Sequence, residues 1–141
     1  EATRGEGAWC RGQPLHVGSQ MNLSEAMVAT GFPTDRRERP ERYMQVLQRV
    51  LPRVRGVRRM GSAALDLALV ASGQMDAFWE EDLARWDVAA GVLLVEEAGG
   101  VVSQLGGGPV QLASPAPVAG NAALHDQLIR LVQEGLSGRS L

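Results

Sequence analysis

Hydrophobic and polar residues along the chain form blocks that alternate between strand and helix patterns. Apolar residues at three-and-four spacing predict a helix that begins at Pro40 and another that follows Asn121. Short apolar runs closed by Gly, Pro or polar residues predict strands over residues 26–30, 54–60, 76–81, 101–105, 109–112 and 117–119. This alternation predicts an α/β domain in which helices pack on a mixed sheet.

Glycine, proline and capping residues predict where these elements begin and end. Residues 7–15 have the pattern of a hairpin around Arg11-Gly12, and Ser62 is placed to cap a helix that reaches about Ser72. Asn121 is placed to cap the last helix, and Gly135 is expected to end it. The residues expected to face the core are Tyr43, Val46, Leu47, Val50 and Leu51 in the first helix and Leu124, Leu128 and Leu131 in the last.

The most informative segment is an almost unbroken apolar helix that begins at Asp87 after a polar loop. The first turn of a helix exposes unpaired backbone N–H groups and the positive end of the helix dipole, which suit a carboxylate, a phosphate or a metal–phosphate pair. Glu80, a second carboxylate, precedes Asp87 by seven residues. The spacing alone leaves a simpler interpretation open, because Asp is a preferred N-cap residue and most capping carboxylates bind nothing else.

Length and composition fit one compact unit. The chain has 141 residues, of which 45% are hydrophobic, enough for a single core. The longest apolar run, residues 88–95, is far shorter than the roughly 20 residues that cross a bilayer, so no membrane partner is expected. Cys10 is the one cysteine and cannot form an internal disulfide, which favours a reducing, cytoplasmic setting.

Charge is distributed unevenly, although the net charge is only −2. All fourteen basic residues are arginines, and residues 36–59 carry a local net charge of +7 that leaves −9 elsewhere. This segment is either a patch for a phosphate, an acidic partner or nucleic acid, or the solvated face of a loop and an amphipathic helix. The absence of interleaved aromatic residues favours the solvated face. The segment's arginines are Arg36, Arg37, Arg39, Arg42, Arg49, Arg53, Arg55, Arg58 and Arg59.

Three ordered blocks of sequence resemble segments of one known family. Trp86-Asp87-x-Ala-Ala-Gly-x-Leu-Leu-Val-x-x-x-Gly-Gly resembles the C-terminal signature of the inositol monophosphatase family. Gly61-Ser62-Ala63-Ala64-Leu65-Asp66-Leu67 resembles the family's Gly-Ser-Ala-Ala-Leu-Asp-Leu segment, and Thr30-Gly31-Phe32-Pro33 resembles its Thr-Gly-Phe-Pro turn. The likeness extends back to the glycine-rich hairpin and so covers nearly the whole chain.

The resemblance implies that residues 1–136 form the C-terminal αβ layers of a five-layer αβαβα sugar-phosphatase sandwich, followed by a frayed tail over 137–141. The family's N-terminal half carries an Asp-Pro-x-Asp-Gly-Thr segment and a Glu-Glu pair, which supply most Mg²⁺ ligands and orient the attacking water. No Asp-x-x-Asp-Gly-Thr segment occurs in this chain. The chain is therefore expected to be a piece of a larger enzyme, inactive by itself, with an apolar face exposed where the other half would pack.

The resemblance also implies roles for individual residues. Asp87 would ligate Mg²⁺, Glu80 would accept hydrogen bonds from substrate hydroxyls, and the turn Gly61, Ser62 and Ala63 would line the substrate site; the water-activating residues would lie in the other half. The simpler interpretations are a cap for Asp87, a surface carboxylate for Glu80 and an ordinary helix cap for the turn. Outside this set, Asp66 is expected to pair with a neighbouring arginine or backbone donor.

The function implied by the resemblance is that of a magnesium-dependent phosphomonoesterase that hydrolyses inositol monophosphate or a similar polyol phosphate with metal-activated water. Fructose bisphosphate, histidinol phosphate and adenosine bisphosphate are alternative substrates for the same fold. A non-catalytic module that binds an acidic partner or RNA is the alternative from another class. The expected partners are the phosphorylated polyol, the N-terminal half and a second copy in a full-length homodimer; nucleic acid is not expected.

Overall fold

The computed structural model describes residues 1–32 and 36–137. The strands there are β1 (Ala2–Thr3), β2 (Gly7–Cys10), β3 (Gln13–Pro14), β4 (Met27–Thr30), β5 (Gly56–Arg58), β6 (Ala77–Trp79), β7 (Val101–Gln104) and β8 (Pro117–Gly120). The helices are α1 (Pro40–Val50), α2 (Ala63–Ala71), α3 (Arg85–Glu97) and α4 (Ala122–Leu136). The predicted α/β class is confirmed.

The larger sheet has five strands in the order β5-β4-β6-β8-β7. Strand β4 pairs in parallel with β5 and β6, whereas β8 pairs antiparallel with β6 and β7. The sheet is therefore mixed, as expected. The chain runs from β4 to β5 on one side of β4 and then crosses to β6 on the other side. The direction in which the strands are added therefore reverses at β4, and α/β proteins often bind ligands at such a point.

Helices cover both faces of this sheet. Adjacent residues of a strand point to opposite faces, so Val28 packs in the core with α1 and α4 while Ala29 packs in the core with α2 and α3. Phe78 and Trp79 of β6 divide between the same two cores. The result is three layers, with the sheet between one helix pair and the other.

A small antiparallel sheet, β1-β2-β3, packs on α3. Its predicted hairpin is confirmed, with Arg11 and Gly12 at φ values of 50° and 75° in a two-residue turn. The Glu97 carboxylate of α3 accepts hydrogen bonds from the N–H groups of Gly5 and Gly7, each at 2.9 Å, and these bonds lower the pKa of Glu97. The small sheet is thus tied to the helix by specific contacts.

Both predicted helix caps are present. The Ser62 Oγ accepts a hydrogen bond from the N–H of Leu65 at 3.4 Å, and the Asn121 Oδ1 accepts one from the N–H of Leu124 at 3.0 Å. The Asn121 amide nitrogen also donates to the carbonyls of Gly18 and Gln20. Asn121 therefore fixes the start of α4 and the segment that leads into β4.

The strand predicted over residues 109–112 is wrong. Strand β7 pairs instead with β8, in a register that runs from Val101 opposite Gly120 to Gln104 opposite Pro117. The Gln104 side chain holds the intervening loop, since its amide donates to the carbonyl of Ser114. Strand β8 is buried along its whole length, so it is the better partner for an edge strand.

Three predictions about helices need correction. Helix α3 begins at Arg85, two residues before Asp87. Helix α4 continues past Gly135 to Leu136. Gly135 does not end the helix, and its missing side chain instead makes room for Val46 of α1. Leu51 lies in a 3₁₀ turn and is exposed rather than in the core. The predicted tail falls mostly on residues 138–141, outside the described residues.

Candidate functional site

The carboxyl ends of β4, β5 and β6 meet at one edge of the sheet, because these strands are parallel. A cavity of about 260 Å³ lies there. The segments that follow the three strands and the first turn of α3 supply its lining, which consists of Gly31, Phe32, Arg59, Gly61, Ser62, Ala63, Glu80, Leu83 and Asp87. All five residues singled out from the sequence, Gly61, Ser62, Ala63, Glu80 and Asp87, therefore lie in one cavity.

Asp87 is the third residue of α3 and not its cap. Its Oδ2 accepts a hydrogen bond from the N–H of Ala84, the residue that precedes the helix, at 3.0 Å. This bond satisfies one N–H group at the helix start and fixes the carboxylate in the first turn. Asp87 thus contributes to the helix end and lines the cavity at the same time.

Glu80 follows β6 directly and is only 9% exposed. Burial, together with the negative charge of nearby Asp66, raises the pKa of Glu80 to about 7. Arg59 opposes this shift, and Asp87 adds to it. The Glu80 carboxyl is therefore a buried group whose charge changes near neutral pH, unlike the surface carboxylate of the simpler interpretation.

The Gly61-Ser62-Ala63 turn joins β5 to α2 at the wall of the cavity. Gly61 has a φ of 88°, a conformation that residues with a side chain rarely adopt. Ser62 then caps α2 through Leu65. The turn is an ordinary helix cap in its hydrogen bonding, and its position also presents the start of α2 to the cavity.

Arg59 is a cavity residue that the sequence analysis did not separate from the other arginines. Its guanidinium lies 5.0 Å from the centroid of the Phe32 ring, which in turn packs edge-on against Tyr43 at a centroid distance of 4.6 Å. The position of Arg59 just after a parallel strand was the signal that could have identified it. It is the one basic side chain that lines the cavity within the described residues.

Asp66 does not make the pairing predicted for it. Its side chain is only 1% exposed, and neither carboxylate oxygen has a hydrogen-bond partner among the described residues. Burial raises the pKa of Asp66 to about 6, and the charge of Arg59 limits that rise. Asp66 is therefore a buried carboxyl group whose ionised form is favoured by the charge of Arg59.

The loop between Glu80 and Asp87 also borders a second crevice of about 520 Å³. Glu81 there accepts hydrogen bonds from the Arg42 guanidinium, the shorter at 2.6 Å. Asp82 has a φ of 55°, a strained conformation for a residue with a side chain. The two acidic residues that follow Glu80 thus face α1 rather than the candidate site.

The arginine-rich segment does not form one continuous patch. Residues 36–39 come after β4 and Arg58 ends β5, towards the sheet edge that holds the cavity, whereas Arg53 and Arg55 precede β5 at the opposite edge. Arg42 pairs with Glu81, and Arg49 lies 4.0 Å from Glu134. The local charge of +7 is therefore divided between two edges and partly neutralised.

The part of the chain that the structure describes contains neither a complete metal site nor a membrane-spanning helix. Within residues 1–32 and 36–137, no three His, Cys, Asp or Glu side chains come together as a group that could hold a metal ion. Asp87 and Glu80 both line the cavity with carboxylate oxygens, the donor type that a hard cation prefers. In the same ranges, no helix is both long and apolar enough to cross a membrane.

A mixed sheet between two helical layers, with a carboxylate-lined cavity where its parallel strands end, is typical of α/β proteins that bind small molecules. The model of the inositol monophosphatase family matches residues 1–137. The chain belongs to the inositol monophosphatase family, as the sequence motifs predicted.

Individual relatives agree with this assignment. The chain is 43% identical to the inositol-1-monophosphatase of Mesorhizobium japonicum and 41% identical to the Nus factor SuhB of Pseudomonas aeruginosa, each over 96% of this chain and 51% of the relative. The solved structure of inositol monophosphatase from Anabaena is 40% identical, with a TM-score of 0.89 over 98% of this chain and 56% of that protein. The chain thus spans about half the length of the relatives it matches.

Proposed function

We propose that this chain forms the substrate-facing half of a magnesium-dependent phosphomonoesterase that acts on inositol monophosphate or a similar small polyol phosphate. The observation that carries the proposal is the convergence of the Gly61 turn, Glu80 and Asp87 on one cavity. These residues come from separate segments, and the family resemblance assigns all of them to a single site. The single thiol of Cys10 favours a reducing, cytoplasmic setting.

In this proposal the chain's own residues bind and orient the substrate. Glu80, when ionised, accepts hydrogen bonds from substrate hydroxyls, and the small turn at Gly61-Ser62-Ala63 lets a polyol approach backbone N–H groups. The pKa of about 7 means that Glu80 becomes a full acceptor only as the pH rises above neutrality. Substrate affinity should therefore improve through that range.

Asp87 would supply one oxygen ligand to magnesium, because its carboxylate lines the cavity. The hydrogen bond from the N–H of Ala84 to Oδ2 holds the carboxylate in that position. The described residues contain no group of three possible metal ligands, so the remaining ligands would come from the N-terminal half. Bound Mg²⁺ supplies charge stabilisation at phosphoryl oxygens and activation of water.

The charge of the cavity favours a polyol over a second phosphate. Glu80, Asp87 and the nearby Asp66 are acidic, and Arg59 is the one opposing charge in the described lining. A neutral hydroxyl can donate to these carboxylates, whereas a second phosphate would be repelled by them. Bisphosphate substrates therefore rank behind monophosphates in this proposal.

The N-terminal half would pack against the outer face of α2 and α3. Trp86 is 75% exposed there, and Leu65, Ala89 and Ala90 are exposed on the same two helices. An apolar face of this kind marks an interaction surface. We further expect the full-length protein to be a homodimer, as the resemblance implies.

A fusion protein tests the proposal. The N-terminal half of the Mesorhizobium japonicum relative is joined to residues 1–137, and phosphate release from inositol 1-phosphate is measured with and without Mg²⁺. We expect the fusion to be active with Mg²⁺ and the 141-residue chain alone to be inactive, because most metal ligands would be absent from it.

Asp87→Asn in the fusion is the matched control, and it should remove turnover and weaken Mg²⁺ binding. A folded fusion without activity, or an isolated chain as active as the fusion, would contradict the proposal. Unchanged kinetics in the Asp87→Asn fusion would show that Asp87 has only a structural role, through its hydrogen bond with Ala84.

The cluster of Arg36, Arg37 and Arg39 between β4 and α1 favours one second candidate, a module that binds RNA or an acidic partner. Such binding would weaken steeply with salt and would be lost when these three arginines are replaced by alanine. Binding that is insensitive to salt would exclude this candidate.

A further inference from the structure

The Glu80 carboxylate occupies the space in which a side chain at Gly31 would lie. A β-carbon built on Gly31 would be 1.9 Å from Oε1, 2.1 Å from Cδ and 2.3 Å from Oε2 of Glu80. Non-bonded carbon and oxygen atoms do not approach so closely. The φ angle of Gly31 is outside the positive range that would by itself require glycine, so glycine is needed here for space.

The backbone beneath the carboxylate is held by buried hydroxyl groups. The Tyr43 O–H donates a hydrogen bond to the carbonyl of Gly31. The Thr30 Oγ1 donates to the carbonyl of Trp79 at 2.7 Å and lies 3.0 Å from the Tyr43 hydroxyl. These bonds connect the last residue of β4, the last residue of β6 and α1, so Gly31 cannot easily retreat from a larger side chain.

We propose that Gly31 is a positioning residue for Glu80. Because Gly31 has no side chain, the Glu80 carboxylate can lie against the backbone at the end of β4, and this contact sets the position of the hydroxyl acceptor in the cavity. With any side chain at position 31, the carboxylate has to move outward. The cavity is only about 260 Å³ in volume, and Asp87 lines it as well. A displaced carboxylate would enter the space for substrate and be more exposed to solvent.

The first part of the test follows the position of the carboxyl group and does not need catalysis. The ¹³C chemical shift of the Glu80 side-chain carboxyl is titrated in this chain and in Gly31→Ala. In the unsubstituted chain it should titrate near pH 7, and in Gly31→Ala it should titrate closer to the ordinary range of glutamate because the group is pushed towards solvent.

Gly106→Ala is the matched control, since a β-carbon at Gly106 has no neighbour within 4 Å and Gly106 lies outside the cavity. It should leave the Glu80 titration unchanged. Both variants should remain folded, because the displaced group in Gly31→Ala is the end of a flexible side chain. A Glu80 titration that is the same in Gly31→Ala as in the unsubstituted chain overturns the positioning role.

The second part rests on the proposed function and uses the fusion protein. Gly31→Ala should raise KM for inositol 1-phosphate about tenfold or more, the usual effect of losing a hydrogen bond to a charged group, with little change in kcat. In a Glu80→Ala background the same substitution should have no further effect, because the clashing atoms are gone. An additive loss, or an unchanged KM in Gly31→Ala, overturns the role in substrate binding.

The two parts of the test give independent answers. A fusion without any activity contradicts the proposed function, and the carboxyl titration still decides whether Gly31 positions Glu80.

Discussion

Asp66 is a buried carboxyl group whose oxygens have no hydrogen-bond partner among the described residues. A buried carboxylate without hydrogen bonds is costly to ionise, and the pKa of Asp66 rises to about 6 as a consequence. A carboxyl group whose pKa is higher in the folded than in the unfolded chain favours folding when it is protonated. That contribution is complete below the unfolded pKa, 3.8, and is lost as the pH rises to about 6.

Asp66→Asn should therefore stabilise the chain at pH 8 and progressively less as the pH is lowered towards 4. A shift of about two pKa units corresponds to roughly 2–3 kcal/mol of unfolding free energy. Urea denaturation followed by tryptophan fluorescence, at a series of pH values, measures it.

Glu6→Gln, at an exposed carboxylate, is the control and should change stability little at any pH. A gain from Asp66→Asn that is the same at pH 4 and pH 8 would contradict the electrostatic explanation. Glu80 should add its own decline between pH 4.5 and about 7, and this decline should be smaller in the variant because the charge of Asp66 helps to raise the pKa of Glu80.

At the scale of the elements, glycine lies where two helices cross. A β-carbon at Gly135 would be 2.7 Å from the Cα of Val46 in α1. Glycine inside a helix lowers helix stability by about 1 kcal/mol relative to alanine. Its presence in α4 therefore indicates that the close packing of α1 stabilises the fold by more than this amount. Gly91 has the same relation to α2, since a β-carbon there would be 2.6 Å from the Cβ of Leu67.

Gly135→Ala should lower the unfolding free energy by about 1 kcal/mol or more, despite the better helix propensity of alanine, because α1 presents backbone at the contact and cannot repack. Thermal unfolding against Gly106→Ala, a glycine with open space around it, measures the effect. An unchanged or raised midpoint for Gly135→Ala would show that the two helices separate freely.

Most elements could be predicted from local signals, and the errors have a common cause. Caps at Ser62 and Asn121 and the turn at Arg11-Gly12 depend on side-chain and backbone chemistry within a few residues, and all three are present. The strand over 109–112 and the end at Gly135 failed because each depends on a partner distant in sequence, β8 in one case and α1 in the other. Spacing within a segment carries no information about such partners.

At the scale of the whole molecule, the helical layer of α2 and α3 is covered only in part. The small sheet packs on α3, yet Trp86 and Leu65 remain exposed on the same layer. The sequence of α3 is apolar over most of its length, yet within this chain only its residues Val88, Gly91 and Val95 are buried. Its apolar outer face fits the proposal that another half of the enzyme packs there.

Trp86 offers a direct measurement of that packing. In the isolated chain its fluorescence should be that of an indole in water, and in the fusion protein its emission should move to shorter wavelength as the N-terminal half covers it. Subtracting the spectrum of Trp86→Phe isolates this signal from Trp9 and Trp79. Identical difference spectra in the chain and the fusion would contradict the proposed contact.

The candidate site could be located from the sequence only through the family motifs. Spacing alone left Asp87 as a cap, and it gave no sign that Arg59 and Gly31 share a cavity with Glu80. These residues meet because β4, β5 and β6 are parallel neighbours, which is a property of the sheet order. The missing hydrogen-bond partner of Asp66 could not be predicted, because it depends on residues that are distant in sequence.

The contact between Gly31 and Glu80 also constrains how the family can evolve. Two positions that occupy one volume cannot drift independently, so a lineage that keeps a glutamate at position 80 has to inherit glycine at position 31. Lineages that have replaced the glutamate with a shorter residue are free to accept alanine or serine at position 31. An alignment of the family sorted by these two columns would then separate members that retain the acceptor from members that have turned to other substrates.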